Sequence, residues 1–274
     1  MSFRRTFLVF ALCVGAPALA AAQQSRQVEI GYEITFAGIT GFRIDATARL
    51  NGNAYDVESH TYKEGILRAV SMNYVGRNRG WGTMTPEGPQ PRAGSMALVV
   101  GDKTRTFLAQ YLPDGSVQDT QNPEWKPTPA QSLTAEQRHG ALDPMTAALS
   151  AVLAGDAACD RTVATFDGRR RIDVILKKAG TESATASGIA GARGDVIICH
   201  VHTRRVAGEF YDAPSEAESQ RDRPMKIWLA RLDDSRVRYP AKLEAQTGFG
   251  TIRGKTLFFR ERSLTAPEIA AMPR

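Results

Sequence analysis

After its first two dozen residues the chain never approaches the roughly 18 consecutive apolar residues of a membrane-crossing helix, so it is expected not to be membrane-spanning. It has three cysteines, Cys13, Cys159 and Cys199, and no Cys-x-x-Cys, which removes the usual redox pair and the zinc ribbon. Gly-x-Ser-x-Gly is missing too, and with it the serine elbow of α/β hydrolases. No block of like charge and no basic stripe interleaved with aromatics is present, so nucleic acid is not expected as a partner. No motif asks for a cofactor.

The first residues are informative. Arg4 and Arg5, the apolar run from Phe7 to Val14 and the small residues from Ala18 to Ala22 have the order of a secretory signal peptide over residues 1–22, with cleavage after Ala20 or Ala22. Arg4-Arg5 also fits a twin-arginine signal. Lipidation at Cys13 is rejected, because Leu12 stands where a small residue is wanted. The expected location is the periplasm. The formal charge of +6 includes Arg4 and Arg5, so the exported chain keeps a mild +4. Two cysteines then remain in an oxidising compartment, and that even count predicts one disulfide, Cys159 to Cys199.

Alternation dominates the remainder, read as a single domain over residues 23–274. Val28 to Phe36 is apolar at every second position, Phe42 to Leu50 repeats the pattern, and Asn51-Gly52-Asn53 turns the chain back through Tyr55 and Val57. Further strands are expected at 96–100, 106–111, 162–166, 169–177, 195–206, 225–232, 239–246 and 250–259. The stretches 86–91, 122–129 and 209–224 read as long loops. The segment ACDRTVATFDGRRRIDV, residues 157–173, concentrates charge around Asp167-Gly168. It is a hairpin, with Arg169, Arg171 and Asp173 expected on a solvated face.

One helix stands out. Asp143 caps, Pro144 opens and Gly155 stops an almost uncharged stretch over about 143–154, which predicts burial against the sheet. The fold class is therefore all-β, mainly β: a large curved antiparallel sheet closing into a spiral or incomplete β-barrel, with this helix packed across it. Its interior is either filled by side chains, the ordinary condition of a small barrel, or open as a cavity for an acyl chain.

Chemistry is thinly represented. His200 and His202 project from one face of a strand, yet no third metal ligand is identifiable from spacing. Asp233 and Asp234 are turn formers, and Gly248 to Gly254 lies between strands, not before a helix, so it is no nucleotide loop.

The segments Gly140-Ala141-Leu142-Asp143-Pro144-Met145-Thr146-Ala147-Ala148-Leu149, Phe166-Asp167-Gly168-Arg169-Arg170-Arg171-Ile172-Asp173-Val174, Met225-Lys226-Ile227-Trp228-Leu229, Asp233-Asp234-Ser235-Arg236-Val237 and Thr251-Ile252-Arg253-Gly254 resemble, in order and spacing, the exported bacterial family catalogued as domain of unknown function 3108. The likeness runs from about Tyr32 to Phe258. It implies a periplasmic β-rich fold and supplies no catalytic residues. Tyr239-Pro240 departs from the Pro-Val common after the acidic turn, which leaves the register of that strand open.

The functional expectation is a non-enzymatic cell-envelope protein binding a lipid or acyl chain between helix and sheet, through Met145, Leu149, Val152, Leu153 and Trp228. An alternative is a protein-binding scaffold that meets an envelope protein through loops 86–94, 122–130 and 209–224. A hydrolase using metal at His200 and His202 is a third reading.

Overall fold

The computed structural model describes residues 25–189, 192–209, 224–231, 237–248 and 250–273. The leader, the acidic turn at 233–235 and nearly all of the 209–224 loop lie outside the described residues. In chain order the elements are β1 (Arg26–Phe36), β2 (Ile39–Asn51), β3 (Ala54–Lys63), β4 (Tyr74–Thr85), β5 (Gly88–Val100), β6 (Lys103–Tyr111) and β7 (Val117–Asn122). Two helices follow, α1 (Ala135–Arg138) and α2 (Pro144–Leu153). Then come β8 (Arg161–Phe166), β9 (Arg170–Ser183), β10 (Arg193–Gly208), β11 (Met225–Arg231), β12 (Arg238–Thr247), β13 (Gly250–Ser263) and α3 (Ala266–Ala270).

All thirteen strands join one antiparallel sheet in the order β7-β6-β5-β4-β3-β2-β1-β13-β12-β11-β10-β9-β8. It consists of two meanders that meet where β1 pairs with β13, from Arg26 opposite Ser263 to Phe36 opposite Ile252. Local turns build each meander: Ala37-Gly38 and Gly52 take positive φ, as tight hairpins require. The mainly β class and the curved antiparallel sheet expected from alternation are what the chain adopts.

The ladder does not close. Among the described residues β7 and β8 share no backbone pairing, and side chains bridge them instead. Phe107 of β6 meets Phe166 of β8 edge to face at 5.7 Å, and Gln121 Nε2 donates to the Gly168 carbonyl at 2.7 Å. Residues 138–142 are wedged beside this seam. Arg138 pairs with Asp119 of β7 at 3.0 Å, while Leu142 exchanges backbone hydrogen bonds with Ala164 and Phe166 on β8. Part of each sheet edge is thereby covered.

Several local expectations need correction. Residues 88–91 are strand and not loop. Pro89 and Pro91 are tolerated because β6 reaches β5 only from Ala93 onward, so they need no second partner, and a bulge beside Pro91 disrupts the ladder to β4. β4 was not foreseen at all. Its Gly76, Gly80 and Gly82 leave no apolar alternation, and two of them, Gly80 and Gly82, make room for neighbours. Two short helices were missed as well, although Thr134 with Gln137 and Thr265 with Glu268 form capping boxes that signal them.

Asp173 also departs from expectation. It is 4% exposed, not solvated, because Arg171 Nη1 at 2.6 Å and Arg204 fold over its carboxylate. Burial alone would raise its pKa, but these hydrogen bonds outweigh it and hold the acid below its ordinary range. Arg169 is likewise engaged, with Glu209 at 3.0 Å and over the Trp125 ring. Near Tyr239-Pro240 the register is now defined: Leu229 faces Pro240, Trp228 faces Lys242, and Ala241 bulges between them.

Candidate functional site

The site is organised by α2. Asp143 caps it, its Oδ1 accepting from the N–H groups of Met145 and Thr146, both at 2.9 Å. That carboxylate is 2% exposed. Its Oδ2 has no hydrogen-bond partner among the described residues, and burial pushes its pKa up to about 6 despite the bonds to Oδ1. It fits there because Gly80 on β4 and Gly94 on β5 stand opposite each other. A Cβ on Gly80 would lie 2.3 Å from Asp143 Oδ1, and one on Gly94 2.6 Å from its Cβ.

One turn later Thr146 meets the Tyr55 hydroxyl of β3 at 2.8 Å, and burial raises the pKa of that phenol. At the other end Arg161 donates to the Ser150 carbonyl at 3.0 Å and to its hydroxyl at 2.9 Å, a cation where the helix dipole favours one. Gly155, at φ 56°, ends the run. A disulfide joins Cys159, just beyond, to Cys199 of β10, with Cα atoms 5.7 Å apart, inside a cluster that includes Ala147 of the helix, Val163, Leu176 and Leu229.

With its start held in the β4–β5 notch and its end tied toward β8 and β10, α2 leans across β1, β2, β12 and β13 without filling the space beneath. A cavity of about 300 Å³ results, where ordinary barrel packing would have left none. Met145, Leu149, Val152 and Leu153 line its helix side. Val28, Ile30, Tyr32 and Ile34 of β1 line the floor, with Ile44, Ala46 and Leu50 of β2 and Tyr239, Leu243 and Phe259 on the far strands. Four of the five candidate ligand residues are therefore together. Trp228 is elsewhere, packed with Ala184, Val196 and Ala230, its Nε1 donating to Glu182 at 2.7 Å and Lys242 over its ring.

The floor residues were hidden from sequence reasoning for one reason. Their alternation marked an apolar face, but nothing in a linear reading puts the first strand beside the last. Two charged residues, Arg26 and Glu261, also border the cavity and pair with each other at 3.3 Å.

His200 and His202 share one face of β10, their rings 6.5 Å apart. Across the ladder His200 faces Lys177 on one side and Lys226 on the other. Burial, then the charge of Lys226 and the neighbouring ring, holds its pKa below the usual imidazole value. Flanking ammonium groups oppose a bound cation, and the described residues include no cluster of three or more His, Cys, Asp or Glu side chains placed to hold one. No described helix is long and apolar enough to cross a membrane.

No curated protein matches the chain. Among solved structures, the crystal structure of a beta-barrel-like protein of domain of unknown function DUF1849 from Brucella abortus is similar over 88% of this chain and 99% of that one, at 12% identity and a TM-score of 0.47. The motifs of the Asp-Pro helix, the Phe-Asp-Gly hairpin and the Ile-Trp-Leu strand all fall within residues 28–256, which match a family model described as protein of unknown function, DUF3108, and the chain belongs to that family.

Proposed function

We propose that this is a non-enzymatic protein of the cell envelope, exported to the periplasm, that holds a lipidic or acyl ligand between α2 and the floor formed by β1, β2, β12 and β13. The observation that carries this reading is the cavity itself. About 300 Å³ is within the size range of small-molecule sites, and its walls are almost wholly aliphatic and aromatic. Each methylene buried there contributes about 0.8 kcal/mol, so a chain of modest length outweighs the entropy of its own immobilisation. The secretory leader read over residues 1–22 supports the location.

The test is direct. Protein purified from its own host under non-denaturing conditions is extracted with solvent, and the extract is analysed by mass spectrometry. A stoichiometric acyl species is expected, and intact mass should place the mature N-terminus after Ala20 or Ala22. Ala46→Phe projects a ring into the cavity from β2 and should release the lipid while leaving the circular dichroism of the sheet intact. Wild-type protein free of lipid, and unable to take up a long-chain probe, would remove the proposal.

A further inference from the structure

Two phenols interrupt the apolar lining, which also includes Thr47. Tyr32 reaches the cavity from β1 and Tyr239 from β12, with β13 between these strands. Neither hydroxyl hydrogen-bonds to any other described residue. Tyr239 is 4% exposed, its ring held against Phe259 at 5.0 Å, and Tyr32 is half-buried. A buried phenol ordinarily finds an acceptor. The other polar side chains at this cavity are differently disposed. Arg26 and Glu261 neutralise each other, and Arg26 lies six residues from Tyr32, about 20 Å along the strand.

We propose that Tyr32 and Tyr239 form a polar clamp for one uncharged oxygen acceptor on the ligand, an ester carbonyl or an alcohol borne by an apolar chain, and that the cavity selects against ionised head groups. The inference rests on the lipid-binding reading above and adds the chemical class. A carboxylate or phosphate placed between these rings would lose its hydration with no unpaired cation among the described residues that line the cavity. An ester or alcohol oxygen accepts the two O–H donors without that cost. Burial, reinforced by the proximity of the two rings, raises the pKa of Tyr32, so the phenol stays a protonated donor at physiological pH.

The experiment measures displacement of a fluorescent long-chain reporter by dodecane, dodecanol, methyl dodecanoate and dodecanoate. The alcohol and ester should compete about tenfold better than the alkane, and the carboxylate no better than the alkane. Tyr32→Phe and Tyr239→Phe should each lower the ratio of ester to alkane affinity severalfold. Both should fold, since each removes only a hydroxyl that has no partner among the described residues. Equal binding of alkane and ester overturns the clamp alone. Tightest binding of dodecanoate, abolished by Arg26→Gln and untouched by the tyrosine changes, places the head group at the rim and overturns it too. If no compound competes and the reporter itself fails to bind, the lipid-binding reading falls and the clamp with it.

Discussion

Gly80 and Gly94 face each other across β4 and β5, and the side chain of Asp143 occupies the space their two missing Cβ atoms would have taken. Helix, cap and sheet are thus fitted at one point. Gly80→Ala and Gly94→Ala should each destabilise the protein by about 1–3 kcal/mol through overpacking, and the double variant by less than the sum, since both push the same carboxylate. Gly180→Ala, whose Cβ would meet nothing within 4 Å, should change stability by about 0.5 kcal/mol or less. Urea unfolding midpoints decide the matter.

The same carboxylate gives stability a pH dependence of unusual sign. Folded, Asp143 titrates near 6; unfolded, near 3.9. Between those values the native chain holds a proton that the unfolded chain has released, so stability falls as pH rises through the window and stays lower above it. The effect is on the order of 2–3 kcal/mol. Asp143→Asn keeps an acceptor for the two N–H groups and should lose this dependence, whereas Asp143→Ala loses the cap and about 1 kcal/mol with it. The readout is the difference between wild type and Asn variant across a pH series.

Asp173 behaves oppositely. Removing it leaves Arg171 and Arg204 converging on nothing, and Arg171 is largely buried, so Asp173→Ala should cost about 3–5 kcal/mol. Arg204 is mostly exposed, and Arg204→Ala should cost about 1 kcal/mol or less. Because the folded pKa is depressed, this stabilisation is complete above the ordinary aspartate value and is lost as pH falls through the folded one. Equal costs for the two variants would contradict the asymmetry.

The disulfide closes a separation of 40 residues. On the chain-entropy account its loss costs about 4 kcal/mol, so Cys159→Ala with Cys199→Ala should unfold at a much lower denaturant concentration. Thiol titration of unreduced, denatured protein should find neither cysteine.

Legibility followed local chemistry. The helix announced itself through Asp143, Pro144 and Gly155, and most strands through alternation, because those signals lie within a few residues of each other. β4 stayed hidden because its glycines break the alternation, and the one at Gly80 serves a helix some sixty residues later. Asp173 was misjudged because Arg204 comes from a strand whose register no single segment reveals. Four cavity residues on α2 were legible as an uncharged stripe. Tyr32, Tyr239 and the rest of the floor became a site only through pairing at opposite ends of the chain.

That pairing sets an order for biogenesis. Arg26 and Glu261 are 235 residues apart in sequence, yet they stand on neighbouring strands. β1 meets β2 through a short turn, and its other edge stays bare until β13, the last of the described strands, pairs with it. Only then does the zipper between the two halves shut, and with it the hollow beneath α2 acquires its second wall.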